Sequence, residues 1–156
     1  MLRGRAQMAI LPGLSRHAEL ASTHLVDDRR LPATAPRALS ATLLVADDEA
    51  LWRQVLGGAG WPGTSGRVDF AQRDLAVRAA ELGRGTVLAS SVEDKASLDA
   101  GRLLPVPGGR VVVARRWYAL CPPGRLGCPE ERAVLDCLTR AGATDPSAFA
   151  ASTSAA

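Results

Sequence analysis

Apolar residues in this chain occur in two alternating patterns, short uninterrupted runs and repeats at helical spacing. The runs predict buried strands at residues 7–11, 42–46, 67–70, 86–89, 103–106, 111–113 and 117–120. Repeats of three and four residues predict helices over residues 51–59, 73–82 and 129–141, with a short helical or irregular piece at 92–100. Because strands and helices alternate through the middle of the chain, the fold class is predicted to be α/β with a largely parallel sheet.

Two extended pieces, residues 23–27 and 30–35, are predicted on either side of Asp28-Arg29. Pro32 lies in the second piece and has no backbone N–H to donate. That piece is therefore predicted to be an edge strand or a connector. Asp47 and Asp48 follow a predicted strand and precede a predicted helix, a position typical of helix caps.

Composition is that of a globular domain of ordinary size, with 156 residues, 47% hydrophobic and 22% charged. The formal net charge is +3 and the arginines are scattered, so we expect no direct contact with nucleic acid. No run approaches the ~20 apolar residues of a membrane helix, and an odd count of three cysteines favours a reducing compartment. These features predict a cytoplasmic protein without a membrane contact.

Patterns typical of enzymes are absent from the sequence. It contains no Gly-x-Ser-x-Gly, His-Glu-x-x-His or phosphate-loop motif, and its only histidines are His17 and His24. A nucleophilic cysteine needs a nearby base, so we predict that the chain is not an enzyme and holds no metal or cofactor. Cys137 on the last helix is predicted to be a small buried apolar residue.

The order and spacing of the elements resemble one family over residues 6–142. Residues 68–70 followed by 75–88 resemble its strand, helix, Gly-x-Gly turn and strand, with Gly83 and Gly85 serving the turn. Residues 99–106 resemble the segment that returns to the other lobe, and the Trp52 helix and the Pro129 helix also fit. The sequence is similar to the effector-binding domain of LysR-type transcriptional regulators, truncated at its N-terminus and without their winged helix-turn-helix.

The resemblance implies a periplasmic-binding-protein type II-like fold with two lobes, lobe two complete and lobe one partial. Residues 7–35 and 103–142 would form partial lobe one with the hinge crossovers, residues 36–102 lobe two, and residues 143–156 a disordered tail. The implied function is sensing of a small-molecule co-inducer for transcription regulation. The implied partners are that effector and either further copies of the chain or a full-length regulator.

Candidate ligand-binding residues follow from the rule that ligands of open α/β sheets lie at the carboxyl ends of strands, facing helix N-termini. Arg73 is a candidate for pairing with an effector carboxylate, Gln72 for a hydrogen bond, and Phe70 for an apolar wall. Thr34 is a further candidate at the hinge. The alternative is that Arg73 is an exposed residue of the first helical turn and Phe70 belongs to the core.

Two other functions remain open at this stage. A truncated chain would associate with full-length regulators as an interaction protein, or it would be a non-functional remnant with unpaired strand edges. Co-purification with a larger regulator would favour the first, and a cooperative melt would argue against the second.

Overall fold

The computed structural model describes residues 8–13, 19–46, 48–57, 65–124 and 128–142. Their elements are, in chain order, β1 (Ala9–Pro12), β2 (Ala21–Thr34), β3 (Leu43–Val45), α1 (Glu49–Leu56), β4 (Arg67–Asp69), α2 (Arg73–Glu81), β5 (Thr86–Ser90), α3 (Lys95–Asp99), β6 (Leu104–Pro105), β7 (Val112–Cys121) and α4 (Pro129–Gly142). The chain divides into two compact units, and the predicted tail and Asp47 lie outside the described residues.

The described part of the first unit lies within residues 8–28 and 115–142. In it, β1 pairs antiparallel with β7, Ala9 opposite Leu120, and β7 is hydrogen-bonded to β2 on its other side. Helix α4 begins at Pro129, carries acidic residues in its first turn and Arg140 in its last, and so complements its own dipole. Its Leu135 packs with Leu25 and Ala119 in the core of this unit.

The described part of the second unit lies within residues 29–114. Its strand order is β2-β5-β3-β4, with β6 also on β2; β3, β4 and β5 are parallel to one another, and β2 and β6 are antiparallel to their neighbours. Helix α2 packs on one face of this sheet against Leu44 and Val87, and helix α1 packs on the other against Val45 and Leu88. Burial on both faces explains why β3 and β5 are continuous apolar runs.

Two pairs of predicted pieces are single strands in the structure. Residues 21–34 form one long β2, and residues 112–121 form one β7. Strand β2 has neighbours on both sides near Pro32, so the prediction of an edge strand there is wrong. The carbonyl of Pro32 accepts from Val106 N at 2.8 Å and therefore points away from β5. In an extended strand the N–H and C=O of one residue point to the same side, so the side on which Pro32 lacks a donor also faces away from β5. The ladder to β5 therefore loses no hydrogen bond.

Two smaller predictions also need correction. Asp48 occupies the N-cap position of α1, but its side chain makes no capping hydrogen bond and instead accepts from Ala46 N at 3.0 Å. Cys137 is exposed on α4 rather than buried. Both residues follow the sequence pattern of their helix, and the tertiary contacts that decide their environment are not visible in that pattern.

The two glycines of the turn between α2 and β5 have the role predicted for them. Gly83 adopts a φ of +75° and accepts at its carbonyl from Leu39 N at 2.8 Å. A Cβ on Gly85 would lie 2.3 Å from the carbonyl oxygen of Thr42. The first position requires a left-handed backbone and the second a close approach between strands.

Acid should remove a defined part of the stability of the second unit through Glu81, the last residue of α2. Its carboxylate accepts from Ser97 Oγ at 2.6 Å and from Arg102 Nε at 2.9 Å, and these bonds lower its pKa from 4.5 to about 2. The stabilisation is therefore fully present above the unfolded pKa and is lost as pH falls through about 2. Because the arginine partner is half-exposed, we expect on the order of 2 kcal/mol.

The measurement is the free energy of urea unfolding of Glu81→Gln and the native chain between pH 7 and pH 2. The variant should be less stable at pH 7, and the difference should shrink towards pH 2. Glu19→Gln, at an exposed glutamate, is the matched control and should follow the native chain throughout. A constant difference between Glu81→Gln and the native chain at every pH would contradict the assignment.

In the part of the chain that the structure describes, no helix is long and apolar enough to cross a membrane.

Candidate functional site

The carboxyl ends of the parallel strands in the second unit carry a set of charged side chains. Asp48 follows β3, Arg73 begins the helix after β4, and Glu93 and Asp94 lie in the turns after β5. Arg30 reaches the same edge from β2, because its antiparallel register places it opposite Ser90 at the end of β5. We call these five residues the Arg73 cluster.

Ion pairs connect four members of the Arg73 cluster, all except Asp48. Arg73 Nε donates to Glu93 Oε2 at 3.0 Å, and the same guanidinium donates through Nη2 to Asp94. Arg30 Nη2 donates to the same Glu93 oxygen at 3.1 Å, and the side chain of Arg30 is only 6% exposed. One carboxylate oxygen thus binds two guanidiniums that come from different elements.

Hydrogen bonds between side-chain oxygens and backbone amides hold the turns after β5, which carry Glu93 and Asp94. Ser90 Oγ accepts from Glu93 N at 2.9 Å, and Asp94 Oδ2 accepts from Ser90 N at 2.7 Å. Ser91 Oγ accepts from Arg29 N at 2.9 Å, which fastens this segment to β2. Short polar side chains that bond to nearby backbone favour such turns over continuation of a strand.

Burial shapes the electrostatics of the cluster. It raises the pKa of Asp48 and of Asp94, and the positive charges of Arg73 and Arg30 oppose that rise in both. The cluster contains two guanidiniums and three carboxylates, a formal charge of −1 when all are ionised. An anion without a cationic group of its own would therefore meet a site that is already acidic.

One nitrogen of the Arg73 guanidinium, Nη1, is available to donate a hydrogen bond to a ligand. Its Nη1 is buried and has no hydrogen-bond partner among the residues that the structure describes. Its Nε and Nη2 are bound to protein carboxylates, so a bidentate contact with a ligand carboxylate would have to displace one of them. A single hydrogen bond from Nη1 needs no such displacement, and a buried unpaired donor has a free-energy cost that a ligand acceptor would remove.

The predicted site residues divide between two edges of the sheet. Phe70, Gln72 and Arg73 lie together after β4. Phe70 is partly buried and packs against the core, and Gln72 is exposed at the N-cap of α2 without a capping bond. Thr34 lies at the amino end of β5, where its Oγ1 donates to the carbonyl of Gly85 at 3.0 Å. The structure therefore does not bring Thr34 to the Arg73 cluster, and the ligand roles of all four stay predictions.

Sequence reasoning missed three members of the cluster, Arg30, Glu93 and Asp94. A wider form of the rule that selected Asp47 and Asp48, one that admits polar residues a few positions after a buried strand, would have found Glu93 and Asp94 after β5. Nothing local to Arg30 distinguishes it, because its partner Glu93 is 63 residues away in the chain.

Sequence comparisons identify no relative of this chain. No family model matches it. No curated protein matches it either.

Several solved structures have the same fold as this chain. The AmpR effector-binding domain from Citrobacter freundii superposes with a TM-score of 0.58 at 16% identity, covering 86% of this chain and 73% of that domain. The regulatory domain of CrgA, a LysR-type transcriptional regulator from Neisseria meningitidis, has a TM-score of 0.54 at 18% identity, covering 86% and 74%. Full-length LysG from Corynebacterium glutamicum with bound effector Arg has a TM-score of 0.54 at 16% identity, covering 90% of this chain and 52% of LysG.

These superpositions confirm the predicted fold class. The chain has the α/β fold of the effector-binding domains of LysR-type transcriptional regulators, which is periplasmic-binding-protein type II-like. The chain spans about three quarters of such a domain and about half the length of a full-length regulator.

Proposed function

We propose that this chain is the small-molecule-sensing domain of a LysR-type transcriptional regulator and not an enzyme, and that it acts in the cytoplasm. The fold supports the class, since its neighbours include a domain named for effector binding and the regulatory domain of a LysR-type transcriptional regulator. Fold alone does not give a function. The observation that carries the proposal is the Arg73 cluster, in which Arg73 Nη1, buried and without a partner among the described residues, lies at the strand ends where α/β sheets bind ligands.

The charge of the cluster favours a particular class of effector. A carboxylate would accept from Arg73 Nη1 and relieve the unpaired donor. The formal charge of −1 disfavours a simple anion and favours a molecule that also carries a cationic group. The best-supported effector is therefore a small zwitterion, such as a free amino acid, with its carboxylate on Arg73 and its ammonium towards Asp48.

Calorimetric titration with a matched panel tests this proposal. The panel contains free L-amino acids, the carboxylic acids that lack their amino group, and the amines that lack their carboxylate. We expect heat of binding from one or more amino acids, and at least tenfold weaker binding of the matched acid and amine, because each loses one charge-assisted hydrogen bond. Equal affinity for an acid and its amino acid would contradict the zwitterion, and no binding across the panel would contradict the ligand class.

Replacing Arg73 with glutamine should weaken binding of the amino acid identified in that panel by about 10–100-fold, since a hydrogen bond to a charged group contributes about 1.5–3 kcal/mol. Arg78→Gln is the matched control, because Arg78 lies on the same helix, is 70% exposed and pairs only with Glu81 among the described residues. Its affinity should equal that of the native chain. Circular dichroism at the titration temperature establishes that both variants are folded, and equal binding by the two would exclude Arg73 from the site.

A further inference from the structure

Helix α2 is hydrogen-bonded at both of its ends to the segment between β5 and β6, which contains α3. At its first residue, Arg73 donates through Nε to Glu93 at 3.0 Å and through Nη2 to Asp94. At its last residue, the Glu81 carboxylate accepts from Ser97 Oγ of α3 at 2.6 Å. The two attachments lie about 12 Å apart along α2, given the rise of an α-helix. The Arg73 cluster therefore contains only one of the two attachments that fix this segment.

The attachment at Glu81 is a closed set of three side chains. Arg102 donates through Nε to the same Glu81 oxygen at 2.9 Å and through Nη2 to Ser97 Oγ at 3.0 Å, so each side chain contacts the other two. The side chain of Glu81 is 10% exposed, and Ser97 is buried. A short bond from a hydroxyl to a carboxylate that is poorly solvated is among the stronger kinds of hydrogen bond in proteins. This attachment therefore restrains α3 firmly.

The apolar contacts of α2 are shallow. Its two buried residues are Ala76 and Ala80, and Leu98 of α3 packs against the same core cluster. An alanine presents one methyl group, which cannot interdigitate with a neighbouring helix as a larger side chain does. The polar attachments at the two ends of α2 therefore decide where α3 lies against it.

The backbone of α3 connects the two attachments. Ser97 N and Leu98 N both donate to the carbonyl of Asp94, at 2.9 and 3.0 Å. Asp94 is the N-cap residue of α3, and its side chain accepts from Ser90 N at 2.7 Å. Because one turn of helix separates Ser97 from Asp94, a displacement of the serine moves the carboxylate that binds Arg73.

We propose that Glu81 is a positioning residue of the effector site. By holding α3 at Ser97, it keeps Glu93 and Asp94 on two nitrogens of Arg73 and leaves Nη1 for the ligand. It thereby maintains the negative charge beside Arg73 that disfavours a simple acid relative to an amino acid. The selectivity rests on the proposed function, whereas the restraint on Arg73 does not require a ligand.

Hydrogen exchange of the Arg73 Nε–H with solvent, followed by NMR in the ligand-free chain, tests the restraint. The signal is assigned by its loss in Arg73→Gln. Glu81→Ala and Ser97→Ala should each speed this exchange about tenfold, because the bond to Glu93 then opens more often. Ser97→Ala leaves the net charge unchanged and so separates position from electrostatics. A general loss of stability would instead speed the backbone amides of β5, which open with the whole unit.

Calorimetric titration with an amino acid and its matched carboxylic acid tests the selectivity. In both variants the ratio of the two affinities should fall by about threefold or more, because the acid gains when the carboxylates leave Arg73. A smaller folded fraction would weaken both ligands equally and leave this ratio unchanged. Circular dichroism at the titration temperature establishes that each variant is folded.

Arg78→Ala is the matched control. Arg78 also donates to Glu81, from Nη1 to Oε2 at 2.9 Å, but it lies on α2 itself and does not hold α3. Its exchange rate at Arg73 and its affinity ratio should equal those of the native chain. An unchanged Arg73 exchange rate in Glu81→Ala and Ser97→Ala would overturn the positioning role, and faster exchange with an unchanged ratio would overturn the role in selectivity. Faster exchange in a chain that binds no amino acid would support the restraint on Arg73 and contradict the proposed effector class.

Discussion

Leu103→Ala is expected to lower the free energy of unfolding by about 4 kcal/mol, in the upper part of the range for large-to-small core substitutions. Leu103 is 0% exposed, and the cluster around it is rich in alanine, including Ala33, Ala76 and Ala80. Alanine has no side-chain rotamers with which to fill a cavity. The space left by the leucine side chain should therefore persist, and its full cost should appear in the measured stability.

Equilibrium unfolding in urea measures this effect, and the next residue in the chain supplies the control. Leu104 is 44% exposed, so Leu104→Ala should cost about 1 kcal/mol or less. The denaturant dependence should be the same for both variants and the native chain, since neither substitution changes the surface exposed on unfolding by much. Similar losses for the two leucines would show that the core around Leu103 relaxes, contrary to the expectation.

Gly85→Ala is expected to cost about 3 kcal/mol, although its backbone conformation is open to any residue. The added Cβ would lie 2.3 Å from the carbonyl oxygen of Thr42 and 3.0 Å from the side chain of Leu44. The same Thr42 oxygen accepts from Thr86 N at 2.8 Å, at the start of the pairing between β3 and β5. Relief of the contact must therefore separate two central strands or break that hydrogen bond.

Gly66→Ala is the control for Gly85→Ala. Gly66 also lacks a positive φ, and a Cβ there would meet no atom within 4 Å. Its substitution should change the free energy of urea unfolding by about 0.5 kcal/mol or less. Equal losses at the two glycines would mean that chain flexibility, rather than the close approach to Thr42, decides the result at Gly85.

Much of the second unit was predictable because its strands β3 and β5 are buried on both faces. Such strands appear as uninterrupted apolar runs, and residues 42–46 and 86–89 were therefore recognised as strands from the sequence. The helices between them have one apolar face and were recognised from their periodicity. Strand β2 was predicted as two pieces, because Asp28 and Arg29 interrupt its pattern. Asp28 and its neighbour Arg30 are buried in the structure, and Arg30 pairs there with a carboxylate far away in the sequence. Periodicity carries no signal of such a partner.

The candidate site was predictable only in part, because contacts between residues far apart in the sequence decide its arrangement. The rule about strand ends led to Arg73, which lies at the carboxyl edge of the sheet. It could not show that Glu93 and Asp94 already bind that guanidinium, or that Thr34 lies at the amino edge. Whether Arg73 meets a ligand by two nitrogens or by one depends on those tertiary contacts.

Because Glu93 binds both Arg30 and Arg73, the order in which these positions can change over evolutionary time is constrained. Loss of Glu93 first would take an anionic partner from two poorly solvated cations in one step. Loss of Arg30 first would leave Glu93 paired with Arg73, and a later change at position 93 would then affect a single cation. The effect of a substitution at Glu93 should therefore depend on whether Arg30 is still present. We expect Arg30 to be replaced before Glu93 in sequences that remain functional.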